Sequence, residues 1–219
     1  TSDGVLVNIT RFRMDKVGGD FYQFLEFSKG EIGVLLGWAP GEGLERVKYI
    51  IEVVHSWRDF ASIYKEPAKV IQVLNNSLYR YAEEAKYATL IYMLYDAKKG
   101  SLKYVNAGHD PLLYISRRGR QTKILEAEDP TPVGVARDIL FLEEEIYLDP
   151  GDMLIGYSGG ISDLIYKEGG FKPGFLNGLK DYLNRKPDQL VDEVFQDLLK
   201  FYPDKPGEEW SLLILKIME

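Results

Sequence analysis

The sequence predicts an α+β chain folded as a four-layer α-β-β-α sandwich, two mainly antiparallel sheets flanked by helix pairs. Three observations carry that expectation. Short apolar runs recur with turn residues between them, the mark of hairpins and so of antiparallel sheets. Two long amphipathic segments interrupt the early strands. A second helical block precedes one last strand, so each sheet has helices to cover its outer face.

The elements follow in order. Val5 to Arg13 alternates with period two and reads as a strand. Phe21 to Phe27 and Glu31 to Gly37 are apolar runs joined by Ser28-Lys29-Gly30, a hairpin signal. A first helix puts Val47, Ile50, Ile51, Val54 and Trp57 on one face. A second, from Pro67, does so with Val70, Ile71, Leu74, Leu78 and Tyr81. Ala88 to Tyr95 and Ser101 to Asn106 flank the turn Asp96 to Gly100, and Leu112 to Ser116 and Thr122 to Glu126 flank Arg117 to Arg120. Ile139 to Leu148 and Met153 to Tyr157 flank Asp149-Pro150-Gly151-Asp152, read as a further hairpin. A short helix is expected from Ile161 and another over Gly174 to Asn184. Leu190 to Tyr202 is amphipathic through Val191, Val194, Phe195 and Leu198, and Trp210 to Ile217 is the last strand.

The 219 residues contain no internal repeat or linker and read as a single domain, 1–219. An apolar content of 45% with 28% charged residues is that of a globular chain with a sizeable core. A formal net charge of −7 argues against a general nucleic-acid binder. No apolar stretch approaches the roughly 20 residues of a membrane span. No signal-peptide pattern opens the chain, so a cytoplasmic location is expected. From the abrupt start at Thr1-Ser2-Asp3-Gly4, a piece excised from a longer protein is an expectation. With no cysteine and only two histidines, His55 and His109, no structural zinc site is expected.

The stretch Gly37-Trp38-Ala39-Pro40-Gly41-Glu42-Gly43 is the most informative. A glycine-rich turn between a buried strand and a long helix is a usual place for a metal or phosphate site. An acid at position 38 would complete such a site, and a tryptophan stands there.

Val17-Gly18-Gly19-Asp20-Phe21-Tyr22 and the turn Leu36 to Gly43, taken in order with the segments below, resemble the opening motif and the G-D-x-S-G-x-G turn of the SpoIIE-like branch of the metal-dependent protein phosphatase (PPM) family. Tyr87 to Tyr92 looks like its strand after the long helices. Asn106-Ala107-Gly108-His109-Asp110-Pro111 is similar to N-A-G-H-x-P, and Pro132 to Val135 to P-L-G-hydrophobic. Tyr157-Ser158-Gly159-Gly160 sits at Y-T-D-G, followed by the acid Asp163, and Glu208-Glu209-Trp210-Ser211 sits at D-D-I-T. The ordered set covers nearly the whole chain and implies the same α-β-β-α sandwich.

The resemblance implies hydrolysis of phosphoserine or phosphothreonine by two Mn²⁺ or Mg²⁺ ions that activate a bridging water, a job suited to ions about 3.5–4 Å apart. Such ions need several oxygen ligands. Carried over by position, Asp20 keeps the first acid and Glu208 stands for the C-terminal one. Ala39 offers a backbone carbonyl, while Trp38 and Gly159 replace the other two acids. One weakly held Mn²⁺ or Mg²⁺ is therefore expected rather than a binuclear centre, with little phosphatase activity. Glu209 is a candidate substitute acid, as are Glu42, Asp163 and Asp152. The implied partner is a phosphoprotein or a protein like an anti-sigma-factor antagonist, in a partner-switching pathway. The alternative is an active, divergent Mn/Mg-dependent phosphatase.

Asp20 alone could cap a turn. Gly18-Gly19-Asp20 is also similar to the G-G-D-E-F motif of diguanylate cyclases, but Phe21 stands where that motif needs Glu. His109 is expected to be a hydrogen-bonded structural residue and His55 a surface one. Arg11 and Arg13 share one strand face and could meet a phosphate. Glu143-Glu144-Glu145 is expected to be a solvated strand edge.

Overall fold

The computed structural model describes residues 5–12, 18–80, 86–119, 121–128, 130–167, 169–185, 187–201 and 210–218, with the backbone alone for 5–12, 164, 187–189 and 210. One sheet contains β2 (Asp20–Ser28), β3 (Glu31–Trp38), β4 (Thr89–Asp96), β5 (Ser101–Ala107) and β8 (Glu144–Tyr147), in the order β2-β3-β4-β5-β8. The other contains β1 (Val5–Phe12), β10 (Trp210–Ile217), β9 (Met153–Tyr157), β6 (Leu112–Ser116) and β7 (Gln121–Leu125), in the order β1-β10-β9-β6-β7. The described strand pairs are antiparallel. This is the four-layer sandwich expected from the sequence.

Strand alternation sorts residues into the layers. On β3 and β4, Val34, Leu36, Ile91 and Met93 meet Leu154, Leu213 and Leu215 of the facing sheet. Leu35, Leu90 and Tyr92 point the other way, into α1 (Gly43–Tyr64) and α2 (Pro67–Leu78). Both faces of these strands are buried, which is why their sequences read as continuous apolar runs. Behind the second sheet lie α3 (Gly159–Lys167), α4 (Pro173–Gly178), a 3-10 turn (Leu179–Asn184) and α5 (Pro187–Phe201).

The buried face of α1 is Tyr49, Val53, Trp57 and Ala61, a strict i, i+4 row. Ile51, expected on that face, is 52% exposed. It lies two positions from both Tyr49 and Val53, about 200° around the helix. Trp57 instead packs edge-on against Tyr92, with ring centroids 5.3 Å apart. The Tyr92 hydroxyl donates to Lys65 O at 2.8 Å and holds the end of α1. Tyr81, assigned to the face of α2, lies outside the described residues.

Four more expectations need correction. Only Glu144–Tyr147 of the expected strand Ile139 to Leu148 pairs, with β5. The residues before it cover the helical layer, where Phe141 is buried and Glu143 accepts the Ala68 N–H at the start of α2, 3.2 Å away. The turn Asp149 to Asp152 makes no hairpin, because β8 and β9 belong to different sheets. The Glu143–Glu145 run is only partly a solvated edge, for Glu143 pairs with Lys103 at 3.0 Å and Glu144 accepts the Tyr104 hydroxyl at 2.8 Å. The helix expected over Gly174 to Asn184 is split into α4 and the 3-10 turn. The buried Lys216 ammonium closes that turn by donating to Leu183 O and Arg185 O at 2.8 and 3.1 Å.

Candidate functional site

Five strand ends converge at one end of the sandwich. Asp20 opens β2, Trp38 closes β3 and Thr89 opens β4. The register sets Asp20 opposite Trp38 and Trp38 opposite Thr89. Directly paired residues share a face, and here that face looks toward the second sheet. From that sheet come Ser158, just after β9, and Ser211 of β10.

Asp20 is 4% exposed. Its Oδ2 accepts the Ser211 hydroxyl at 2.8 Å and also the Ser158 hydroxyl. The serines are joined to each other as well. Ser211 N–H donates to Ser158 Oγ at 2.9 Å, and Ser158 N–H donates to Ser211 O at 3.1 Å. The three residues thus form a closed ring of hydrogen bonds across the two sheets.

Trp38 lies against the backbone beside this ring. A Cβ added at Gly19 would sit 2.7 Å from Trp38 Nε1 and 2.4 Å from Ala39 O. Position 19 must therefore be glycine, because no methyl group fits at those separations. The fully buried Ala39 donates its N–H to Gly19 O at 3.0 Å.

His109 makes a second polar link. Its Nδ1 is 3.1 Å from Thr89 Oγ1, and its main chain is fixed by Asn106. His109 N–H donates to Asn106 Oδ1 at 2.8 Å, and Asn106 Nδ2 donates back to His109 O at 3.0 Å. Burial pushes the imidazole down to about 4, against a weaker upward pull from the Tyr157 main chain. The ring is therefore neutral at neutral pH. Burial raises the neighbouring Asp110, with the Ser162 hydroxyl opposing and the Asp163 charge adding to the rise.

The residues singled out from the sequence are placed as follows. Asp20, Trp38 and Ala39 lie together, and Gly159 follows Ser158 at the start of α3 with open space around it. Arg11 pairs in register with Ser211. Arg13, Glu208 and Glu209 lie outside the described residues. Glu42 is exposed before α1 and Asp163 is exposed on α3, while His55 is exposed on α1. Asp152 is corrected as a substitute ligand. It precedes β9, whereas Ser158 follows it, so six residues of extended chain, about 20 Å, separate it from Asp20. Sequence reading missed Ser158 and Ser211 as partners of Asp20. The available signal was a hydroxyl residue inside each of the two motifs that lie near one another only in the fold.

The donor set can be tested against a two-ion centre. Two divalent cations need several hard oxygen ligands. The described residues bring one carboxylate, already engaged by two hydroxyls, and a backbone carbonyl. Trp38 brings an aromatic ring and Gly159 no side chain. No group of three or more acidic or histidine side chains able to hold a metal ion occurs among the described residues. The donors among the described residues do not by themselves make up a binuclear centre.

The family described as Stage II sporulation protein E (SpoIIE) matches residues 28–218. The chain is 22% identical over 203 residues to phosphoserine phosphatase RsbU of Bacillus subtilis (strain 168), covering 92% of this chain and 60% of that protein. It is 28% identical over 189 residues to phosphoserine phosphatase RsbP of the same organism, covering 84% of this chain and 44% of that protein. The chain thus spans 60% and 44% of the lengths of these two relatives. Among solved structures, it resembles the PP2C phosphatase domain of SpoIIE from Bacillus subtilis, solved with a fragment of its regulatory domain. The TM-score is 0.80 at 18% identity, covering 99% of this chain and 64% of that one, a likeness of fold.

Proposed function

Since this chain belongs to the SpoIIE family, we propose that it is a PPM-type phosphatase domain of bacterial signalling with weak or lost catalysis and a binding or regulatory role. The relatives named as phosphoserine phosphatases, RsbU and RsbP, support the phosphatase-domain part of this reading. The partner is a phosphoprotein or a protein like an anti-sigma-factor antagonist, met in the cytoplasm in a partner-switching step that regulates a sigma factor. No helix among the described residues is long and apolar enough to cross a membrane.

One observation supports the reading of weak or lost catalysis. The retained acid, Asp20, has its Oδ2 engaged by two serine hydroxyls, and its cross-strand neighbour is Trp38 where an acid is expected. At most one Mn²⁺ or Mg²⁺ is held, weakly, through Asp20, Glu208 and the Ala39 carbonyl, with Glu209 as a substitute acid. A bound ion would supply Lewis acidity toward a phosphoryl oxygen. The chain's own residues would then orient the phosphate, with Arg11 and Arg13 as candidate partners for it.

A second reading is favoured by the retention of Asp20 and by the acid at Glu208. In it the domain is an active, divergent Mn/Mg-dependent phosphoserine/phosphothreonine phosphatase. Calorimetric titration with Mn²⁺, joined to hydrolysis of p-nitrophenyl phosphate and of a phosphoserine peptide, separates the two. The first reading expects weak or no metal uptake and little or no turnover. Two tight sites with turnover abolished by Asp20→Ala would sink it.

A further inference from the structure

At the site end the two sheets are joined by polar groups. A carboxylate as buried as Asp20 must be matched by donors or by a cation. A carboxylate oxygen offers about two lone-pair positions, and on Oδ2 both face serine hydroxyls. Ser158 and Ser211 are 0% and 1% exposed, so their hydroxyls lie away from water. The hydrogen bonds between the two serines hold them in place. The contact between Thr89 and His109 runs beside this ring and needs no ion either.

We infer that Asp20 acts in this chain as a tie between the sheets, and that the hydroxyls of Ser158 and Ser211 fill the place of a divalent cation, so the closed end of the sandwich is metal-independent. This rests on the non-catalytic reading above and deepens it. The acid kept from the ligand set has a structural task, which accounts for its presence beside Trp38 without any catalytic demand. Oδ2 binds the two serines from the facing sheet at once, whereas loss of either serine leaves the other still attached.

Urea unfolding of the whole chain, in EDTA and in millimolar Mn²⁺, provides the test. The unaltered protein should have the same midpoint in both. Asp20→Ala should lower the folding equilibrium constant by about tenfold or more in both, because two buried hydroxyls lose their acceptor. Ser158→Ala and Ser211→Ala should each lower it less, and each should be less harmful once Asp20 is already alanine. Asp20→Asn keeps a carbonyl acceptor and should retain most of the stability, which keeps the test open if Asp20→Ala fails to fold. A Mn²⁺-dependent rise in midpoint that vanishes in Asp20→Asn would overturn the inference, as would strictly additive losses. Such a rise without peptide hydrolysis would leave the non-catalytic reading standing, whereas hydrolysis would remove that reading too.

Discussion

Asp20 and Asp152 are buried aspartates at opposite ends of one sandwich, and they are held differently. Asp152, 1% exposed, accepts main-chain N–H groups from Asp149 at 3.0 Å and Arg117 at 2.7 Å, with the Tyr114 hydroxyl at 2.7 Å. Asp20 accepts side-chain hydroxyls from residues 138 and 191 positions away. An acid clamped by main-chain donors belongs to the scaffold, because those donors cannot be withdrawn without refolding the turn. An acid held by buried hydroxyls from a facing sheet instead depends on the packing of that sheet, because a serine that turned away would leave its hydroxyl buried and unmatched. Asp152 thus fixes a turn, whereas Asp20 fixes one sheet to the other.

The largest effect should come from Asp152→Ala. It strands two main-chain N–H groups and a phenol, so the loss should be about 3–4 kcal/mol in urea unfolding. A smaller loss than that of Asp20→Ala would break the comparison.

Acid should weaken the Asp20 end next. His109 is held neutral, with its pKa lowered from 6.5 to about 4. The unfolded chain takes up a proton that the folded one refuses, so stability is complete above the unfolded value and falls as pH drops from 6.5 toward 4. The full fall is roughly 3 kcal/mol. Asp110, whose pKa is raised, opposes this at the acid end of the window, because the folded form protonates first. Unfolding free energies measured from pH 7.5 to 5 should fall with acid, and His109→Gln should flatten that slope. An unchanged slope in the variant would show that another group is responsible.

Gly19→Ala should destabilise by about 2 kcal/mol, through the contacts with Trp38 and Ala39 O. Pairing it with Trp38→Ala should not restore stability, since the Ala39 oxygen is main chain. Full rescue would mean that the indole alone demands the glycine. The smallest effect belongs to Gly159→Ala, where a Cβ meets nothing within 4 Å. Its unfolding free energy should stay within about 0.5 kcal/mol of the parent. These two substitutions separate a glycine required by packing from one that is not.

The layers were legible because each strand and helix carries its own period. Val34 and Leu35 declare two buried faces, and Val70, Ile71 and Leu74 a helical one. The errors arose where a local pattern had two outcomes. Ile51 fits an apolar stripe but falls outside the row set by Tyr49 and Val53. Asp149-Pro150-Gly151-Asp152 is good turn chemistry, and turn chemistry does not say which sheet receives the next strand. At the site, Asp20, Trp38, Ala39 and Gly159 were picked out from motif order, and the fold brings them to one end. Ser158 and Ser211 escaped notice because a serine hydroxyl has no spacing signature until its acceptor is known.

By itself the sequence determined the hairpins, the helical faces, the order of motifs and the absence of an acid at positions 38 and 159. All of these depend on residue identity and on contacts a few positions apart. Only the tertiary structure decided that β8 and β9 part to different sheets, that Asp152 is scaffold, and that Asp20 meets Ser158 and Ser211. Those outcomes depend on pairing between strands far apart in the chain, which is set by burying both faces of both sheets at once.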